Sequence, residues 1–174
     1  MGLNSAPPAP TSFPNLTFLK TTIMSNVIFR PARSSDLAEI VTLLADDKLG
    51  ANRESAEGNS QAYEQAFAEI ECDPNNMVHV AEDDGVIIGC VQVTFIANLS
   101  FEGGRRALIE AVRIADSHQG QGLGKRLMEH VIDLARQRGC KIVQLTSNKE
   151  RPDAIRFYEQ LGFQPTHVGF KLYL

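Results

Sequence analysis

The sequence predicts an α+β fold, a mixed, mostly antiparallel sheet flanked by helices with a βαβ unit at its centre. Three observations point there. Strand-like runs at 77–82 and 86–97 are joined by Asp83-Asp84-Gly85, whose Asp-Gly step accepts positive φ, as an antiparallel hairpin requires. A strand over 107–114, a helix over about 122–138 with Leu123, Leu127, Val131 and Leu134 on one stripe, and an apolar strand over 140–146 read as a parallel crossover whose second strand is buried. Finally, 174 residues, 43% hydrophobic and 22% charged, suit one globular domain and leave no room for two of full size.

The remaining elements follow in order. Residues 1–24 hold Pro7, Pro8, Pro10 and Pro14 with Lys20 as the only charged side chain, so they read as a disordered or loosely packed extension, and residues 25–174 as the domain. A secretory signal would need a basic start and a continuous apolar stretch, which this segment lacks. A short strand is expected over 26–30. Ser35 is placed to cap a helix with Leu37, Ile40, Val41 and Leu44 at helical spacing, and a second helix is expected over 61–71 with Tyr63, Ala66, Phe67 and Ile70 on one side. Gly139 stops the long helix, Pro152 opens a short one over 152–161, and Gly162 ends it. The last segment, 163–174, is strand-like and is expected to close the sheet.

Composition narrows the function classes. The longest apolar run, 86–96, is cut by Gly89, Gln92 and Thr94 and falls short of the roughly 18 residues that span a bilayer, so no membrane partner is expected. Cys72, Cys90 and Cys140 form no Cys-x-x-Cys pair and no zinc-finger spacing with histidine. Reduced thiols, a cytoplasmic location and no metal are the expectation. His79, His118, His130 and His167 are scattered and read as surface or core residues. A net charge of -4 argues against nucleic acid, but it averages two unlike segments. Residues 36–84 carry thirteen acids against two bases, and residues 103–151 ten bases against five acids. Either this is solvated surface, or it marks a cationic ligand on one side and an anionic one on the other.

The turn from His118 to Arg126 carries the chemistry. Gly120, Gly122 and Gly124 let the backbone approach a ligand, and the following helix offers unpaired N–H groups and the positive end of its dipole, with Lys125 and Arg126 alongside. Together they suit a pyrophosphate. A P-loop fails, because only three residues separate Gly120 from Gly124 and Lys125 precedes Arg126 where Ser or Thr is required. A dinucleotide fingerprint fails on the even glycine spacing and on the missing acid after the next strand.

The pattern Q-x-x-G-x-G, running from Gln119 through Gln121, Gly122 and Leu123 to Gly124, resembles the pyrophosphate loop of the GNAT superfamily of acyl-CoA-dependent N-acetyltransferases. Val112-Arg113-Ile114 is similar to the strand whose backbone groups bind the pantetheine arm in that family. The stretch from Ala154 to Phe163 is similar to its A-x-x-F-Y-x-x-x-G-F signature beside the thioester, and Arg30-Pro31-Ala32 to its opening. The resemblance covers about residues 26–174. Many relatives carry an asparagine seven residues before the tyrosine; this chain has Arg151 there and Asn148 three residues earlier, so either one is a candidate for coenzyme A contact.

The resemblance implies acetyl-CoA as co-substrate, a primary amine as acceptor, and direct attack in a ternary complex. An alkyl amine with pKa near ~10.4 is almost entirely protonated at neutral pH, so a base is required. Glu110 lies where several family members have a glutamate proposed for that role; the alternative is a structural carboxylate paired with Arg105 or Arg106. Tyr158 resembles the family tyrosine that protonates the departing thiolate. The first two helices build the acceptor side in this superfamily, which makes Asp46, Asp47 and Tyr63 candidate contacts for a small cationic amine, with Glu54 a further one. Protein lysine is an alternative acceptor, and a non-catalytic acyl-CoA-binding module the alternative from another class. Homodimers are common in the family and compatible with this chain.

Overall fold

The structure is a computed structural model that describes residues 26–46 and 60–174. The extension read over 1–24 lies outside the described residues, as do Asp47 and Glu54.

Five strands form one sheet in the order β1-β2-β3-β4-β5. Strands β1 (Ile28–Pro31), β2 (Asn76–Asp83), β3 (Val86–Ile96) and β4 (Arg105–Ile114) pair antiparallel, and β5 (Cys140–Leu145) pairs parallel to β4. Asp84 and Gly85 both take positive φ, 47° and 85°, so the expected hairpin turn has the twist of type I′. Helices α1 (Leu37–Ala45) and α2 (Ser60–Cys72) precede β2. A single turn, α3 (Ser100–Gly103), separates β3 from β4. Helix α4 (Leu123–Gln137) links β4 to β5 as the crossover of the βαβ unit, and α5 (Pro152–Gln160) follows.

Strand alternation divides the core between the two faces of the sheet. Val93, Phe95, Ala107 and Ile109 pack against Leu127, Met128, Val131 and Ala135 of α4, with Phe157 and Tyr158 of α5 at the margin. Val80, Ile87 and Cys90 pack with Ile40 and Leu43 of α1 on the other face.

Three expectations are corrected. Ser35 caps nothing: it lies in a 3-10 turn, and the N-cap of α1 is Asp36, whose carboxylate accepts the Arg33 N–H at 2.7 Å and two bonds from the Arg30 guanidinium. Residues 163–174 form no strand, and Val168, Phe170 and Leu172 stand exposed. Their alternation reads as a strand, but a strand needs a ladder partner, and none is formed. With nothing paired on its outer side among the described residues, β5 is half-buried rather than buried.

Candidate active site

The site is built around the end of β4. Between Cys90 and Gln92 of β3 the register slips by one residue, and Ala111 bulges out with φ 53°. On the opposite edge, β4 pairs with β5 only as far as Ile109, opposite Leu145. Val112, Arg113 and Ile114 thus lie on a stretch of β4 that runs past the end of the β5 ladder, where an extended chain can lie against the backbone. Arg113 Nη1 donates to the Val112 carbonyl at 2.8 Å.

The glycine turn follows directly. Ala115 N–H bonds Ile88 O at 2.9 Å and holds the end of β4 to β3, and a 3-10 turn over Asp116–His118 leads into the loop. Gln119 braces that loop: its side-chain amide donates to Asp116 Oδ1 at 2.6 Å and to Ile114 O at 3.3 Å. Gln121 does the same to Ser117 O at 3.1 Å. Gly120 and Gly122 take φ of 73° and 77°, and a Cβ added to either would meet no atom within 4 Å, so the space beside both is open. Gly124 serves another purpose. Its missing Cβ would lie 3.4 Å from the Phe157 ring, so this glycine lets α5 approach the first turn of α4.

Helix geometry leaves the first N–H groups of α4 without intrahelical acceptors, and Arg126 N–H is the first to reach back, to Gly122 O at 3.2 Å. An open, glycine-lined concavity at a helix N-terminus fits a pyrophosphate, and the uncovered backbone of β4 fits a pantetheine arm. The Leu123 side chain is buried against Ala81 and Ile88 and anchors the turn. Lys125 lies along the exposed side of α4, 3.8 Å from Glu129. Arg126 reaches back to β1, stacking 5.3 Å over the Phe29 ring.

Tyr158 stands on α5 in edge contact with Phe157 and Phe163, with ring centroids 5.2 and 6.0 Å away. Burial pushes its hydroxyl above the usual tyrosine range, and the charges of Arg151 and Arg113 pull partly against that shift. The phenol therefore stays protonated at neutral pH. Arg151 is the N-cap of α5, held by its N–H to Asn148 O at 3.0 Å, while Asn148 Oδ1 accepts the Glu150 N–H at 3.0 Å and shapes the turn.

Glu110 is exposed, opposite Gln92 on β3. Arg105 points to the other face of β4, and Arg106, four residues back on the same face, lies about 13 Å along the strand. Neither neighbour is placed to neutralise it. Beside Glu110, under α1 and α2, lies a cavity of about 140 Å³. Helix α1 contributes Leu37, Ile40, Val41 and Leu44; α2 contributes Tyr63, Phe67 and Ile70; the sheet contributes Cys90, Gln92 and Ala111. Asp46 is exposed at the end of α1.

Sequence reasoning did not find the bulge or the cavity, since neither has a motif. It also left His79 and His130 as separate residues, whereas His130 Nε2 lies 2.9 Å from His79 Nδ1 between α4 and the sheet. Burial lowers both pKa values, that of His79 to about 4. Among the described residues no group of three or more His, Cys, Asp or Glu side chains could hold a metal ion, and no helix is long and apolar enough to cross a membrane.

Comparison with known proteins agrees with this geometry. A model of the acetyltransferase (GNAT) family matches residues 37–163. The chain is 29% identical over 110 residues to the aminoalkylphosphonate N-acetyltransferase of Salmonella typhimurium, covering 63% of this chain and 71% of that protein. It is 32% identical over 117 residues to streptothricin acetyltransferase of Streptomyces lavendulae, covering 67% of this chain and 58% of that one. A solved structure described as a transcriptional regulator from Bacillus halodurans superposes with a TM-score of 0.83 at 46% identity, covering 85% of this chain and 99% of that chain.

Proposed function

The chain belongs to the acetyltransferase (GNAT) family, acetyl-CoA-dependent N-acetyltransferases, and from that premise we propose that it acetylates a small primary amine by direct attack within a ternary complex. The observation that carries this reading is the continuity of three parts: the uncovered end of β4, the glycine turn at the α4 N-terminus, and the protonated Tyr158.

Acetyl-CoA supplies the activated acetyl group. Backbone N–H groups from Gly120 to Lys125 bind its pyrophosphate, Val112 to Ile114 align its pantetheine arm, and Asn148 or Arg151 completes the contact. Glu110 takes a proton from the attacking ammonium, directly or through water, and frees the nitrogen lone pair. As the C–N bond forms and the C–S bond breaks, Tyr158 gives its proton to the departing sulfur. The nitrogen sheds its second proton as the amide forms, which restores the Tyr158 phenol through water, and Glu110 releases its proton to solvent as the product amide and free coenzyme A leave. Tyr63 lines the acceptor side and Asp46 stands exposed at the end of α1, which favours a cationic amine over a bulky protein lysine. The three free cysteines suit a reducing cytoplasm, and the exposed apolar side chains of 163–174 suit a homodimer.

Thiol release from acetyl-CoA across a panel of amines, with acetyl-CoA binding measured in parallel by calorimetry, tests this reading. Turnover on at least one small amine is expected. A second reading, acyl-CoA binding without turnover, is favoured by the description of the 46%-identical structure as a transcriptional regulator. Tight acetyl-CoA binding with no thiol release on any amine would establish it.

A further inference from the structure

We propose that the cavity under α1 and α2 is the acceptor subsite, and that it takes an uncharged apolar group, a branched alkyl chain or a phenyl ring, carried on the acceptor amine. The inference rests on the acetyl-transfer reading above and names the substrate class for the same site.

Position comes first. Gln92 is the cross-strand partner of Glu110, Ala111 follows Glu110 along β4, and both line the cavity. A group seated there places an attached amine beside the carboxylate that would deprotonate it. Size comes second. The cavity measures about 140 Å³, and an apolar cavity of about 150 Å³ is known to hold benzene.

Charge decides the chemical class. None of the described residues lining the cavity is an acid or a base: apart from the Gln92 amide, the Tyr63 hydroxyl and the Cys90 thiol its walls are aliphatic and aromatic, and burial pushes that thiol up to about 12, where it stays neutral. A second ammonium group would enter without a counter-charge, which is costly. Part of the acidic surplus of this half of the chain is engaged elsewhere. Asp36 and Glu82 both bind Arg30, and the Glu39 carboxylate accepts the Ile87 N–H at 3.0 Å. These acids hold α1 and β1 to the sheet rather than facing an acceptor.

The test uses the full chain, acetyl-CoA and four amines: ethylamine, 3-methylbutylamine, 2-phenylethylamine and 1,4-diaminobutane. Thiol release should give kcat/KM at least about ten-fold higher for the two larger apolar amines than for ethylamine, with the diamine below them. Ala66 lines the exposed rim of the cavity, so Ala66→Phe fills its mouth on a helix surface that tolerates the change. This variant should lower the ratio of 2-phenylethylamine to ethylamine by about ten-fold or more, with an unfolding temperature near that of the parent. A diamine that matches or exceeds 3-methylbutylamine, or a ratio unmoved in Ala66→Phe, overturns the subsite. Binding of 2-phenylethylamine by ligand-observed NMR separates the two levels of the argument. Binding that is lost in Ala66→Phe, without turnover on any amine, overturns acetyl transfer and supports the subsite. Turnover without apolar preference overturns the subsite and leaves acetyl transfer standing.

Discussion

The proposed cofactor side and the proposed acceptor side of this molecule are built from different materials. The first is mostly backbone: an uncovered strand end, two glycines at positive φ and the first turn of one helix. The second is mostly side chains, gathered from α1, α2 and three strands that lie far apart in sequence. Backbone recognition needs glycine at fixed spacing, so it leaves a mark that a reader of one sequence can find. A side-chain cavity can be lined by many residue combinations, so it leaves none. The same division explains how one architecture can keep its co-substrate while its acceptor varies.

Chemistry at the junction of the two sides should show the largest effect. Tyr158→Phe removes the proton donor and keeps the ring contacts with Phe157 and Phe163. It should lower kcat for thiol release by about 10²- to 10⁴-fold, with acetyl-CoA affinity by calorimetry close to that of the parent. An unchanged kcat would remove Tyr158 from the mechanism.

The next effect separates folding acids from binding acids on the acceptor side. Asp36→Ala leaves the Arg30 guanidinium, whose side chain is 15% exposed, with Glu82 alone. Chemical denaturation should report a loss of about 2–3 kcal/mol. Acceptor KM should hardly move, whereas a role for Asp36 in amine binding would raise it.

The cofactor side has its own weak point in His79 and His130. Both are held below the usual histidine range, so their contribution to stability is fully present above pH 6.5 and is lost as pH falls toward 4. For His79 the loss at pH 5 is about 2 kcal/mol. Unfolding temperatures should fall between pH 7 and pH 5, and more shallowly so in His79→Asn. Equal slopes in the two proteins would show that other groups set the acid sensitivity. The smallest effect is expected from Gly122→Ala, which forces a Cβ into the left-handed region at a cost of about 1–2 kcal/mol. Part of that cost should appear as acetyl-CoA affinity weakened about ten-fold.

How much was legible in the sequence follows the same line. The hairpin, the crossover and the helix stops could be read because Asp84-Gly85, Gly139 and Gly162 each occupy a backbone geometry that few residues accept. Of the three loop glycines, however, only Gly120 and Gly122 have the open, positive-φ role that spacing suggests; Gly124 is a packing glycine, visible only once Phe157 is seen above it. Residues 163–174 show the opposite failure. Alternation there is genuine, but pairing depends on an edge elsewhere in the molecule, which no local pattern encodes. The charge imbalance misled in part because a count of acids does not reveal that Asp36, Glu39 and Glu82 already have partners within the fold.

Ala111 has one further effect. In a regular strand, residues three apart face opposite ways, yet Ile109 and Val112 both pack toward α4, while Glu110 pairs across from Gln92 and Arg113 from Cys90, two residues that line the same cavity. The single extra residue resets the parity of the strand partway along its length. Pairing Ala111 into the ladder as an ordinary strand residue would carry Val112 and Ile114 to the opposite face, exchanging apolar packing for charge on both sides at once. A point in the chain that looks like the insertion of one small alanine is thus a phase boundary, and two binding surfaces are kept in register by it.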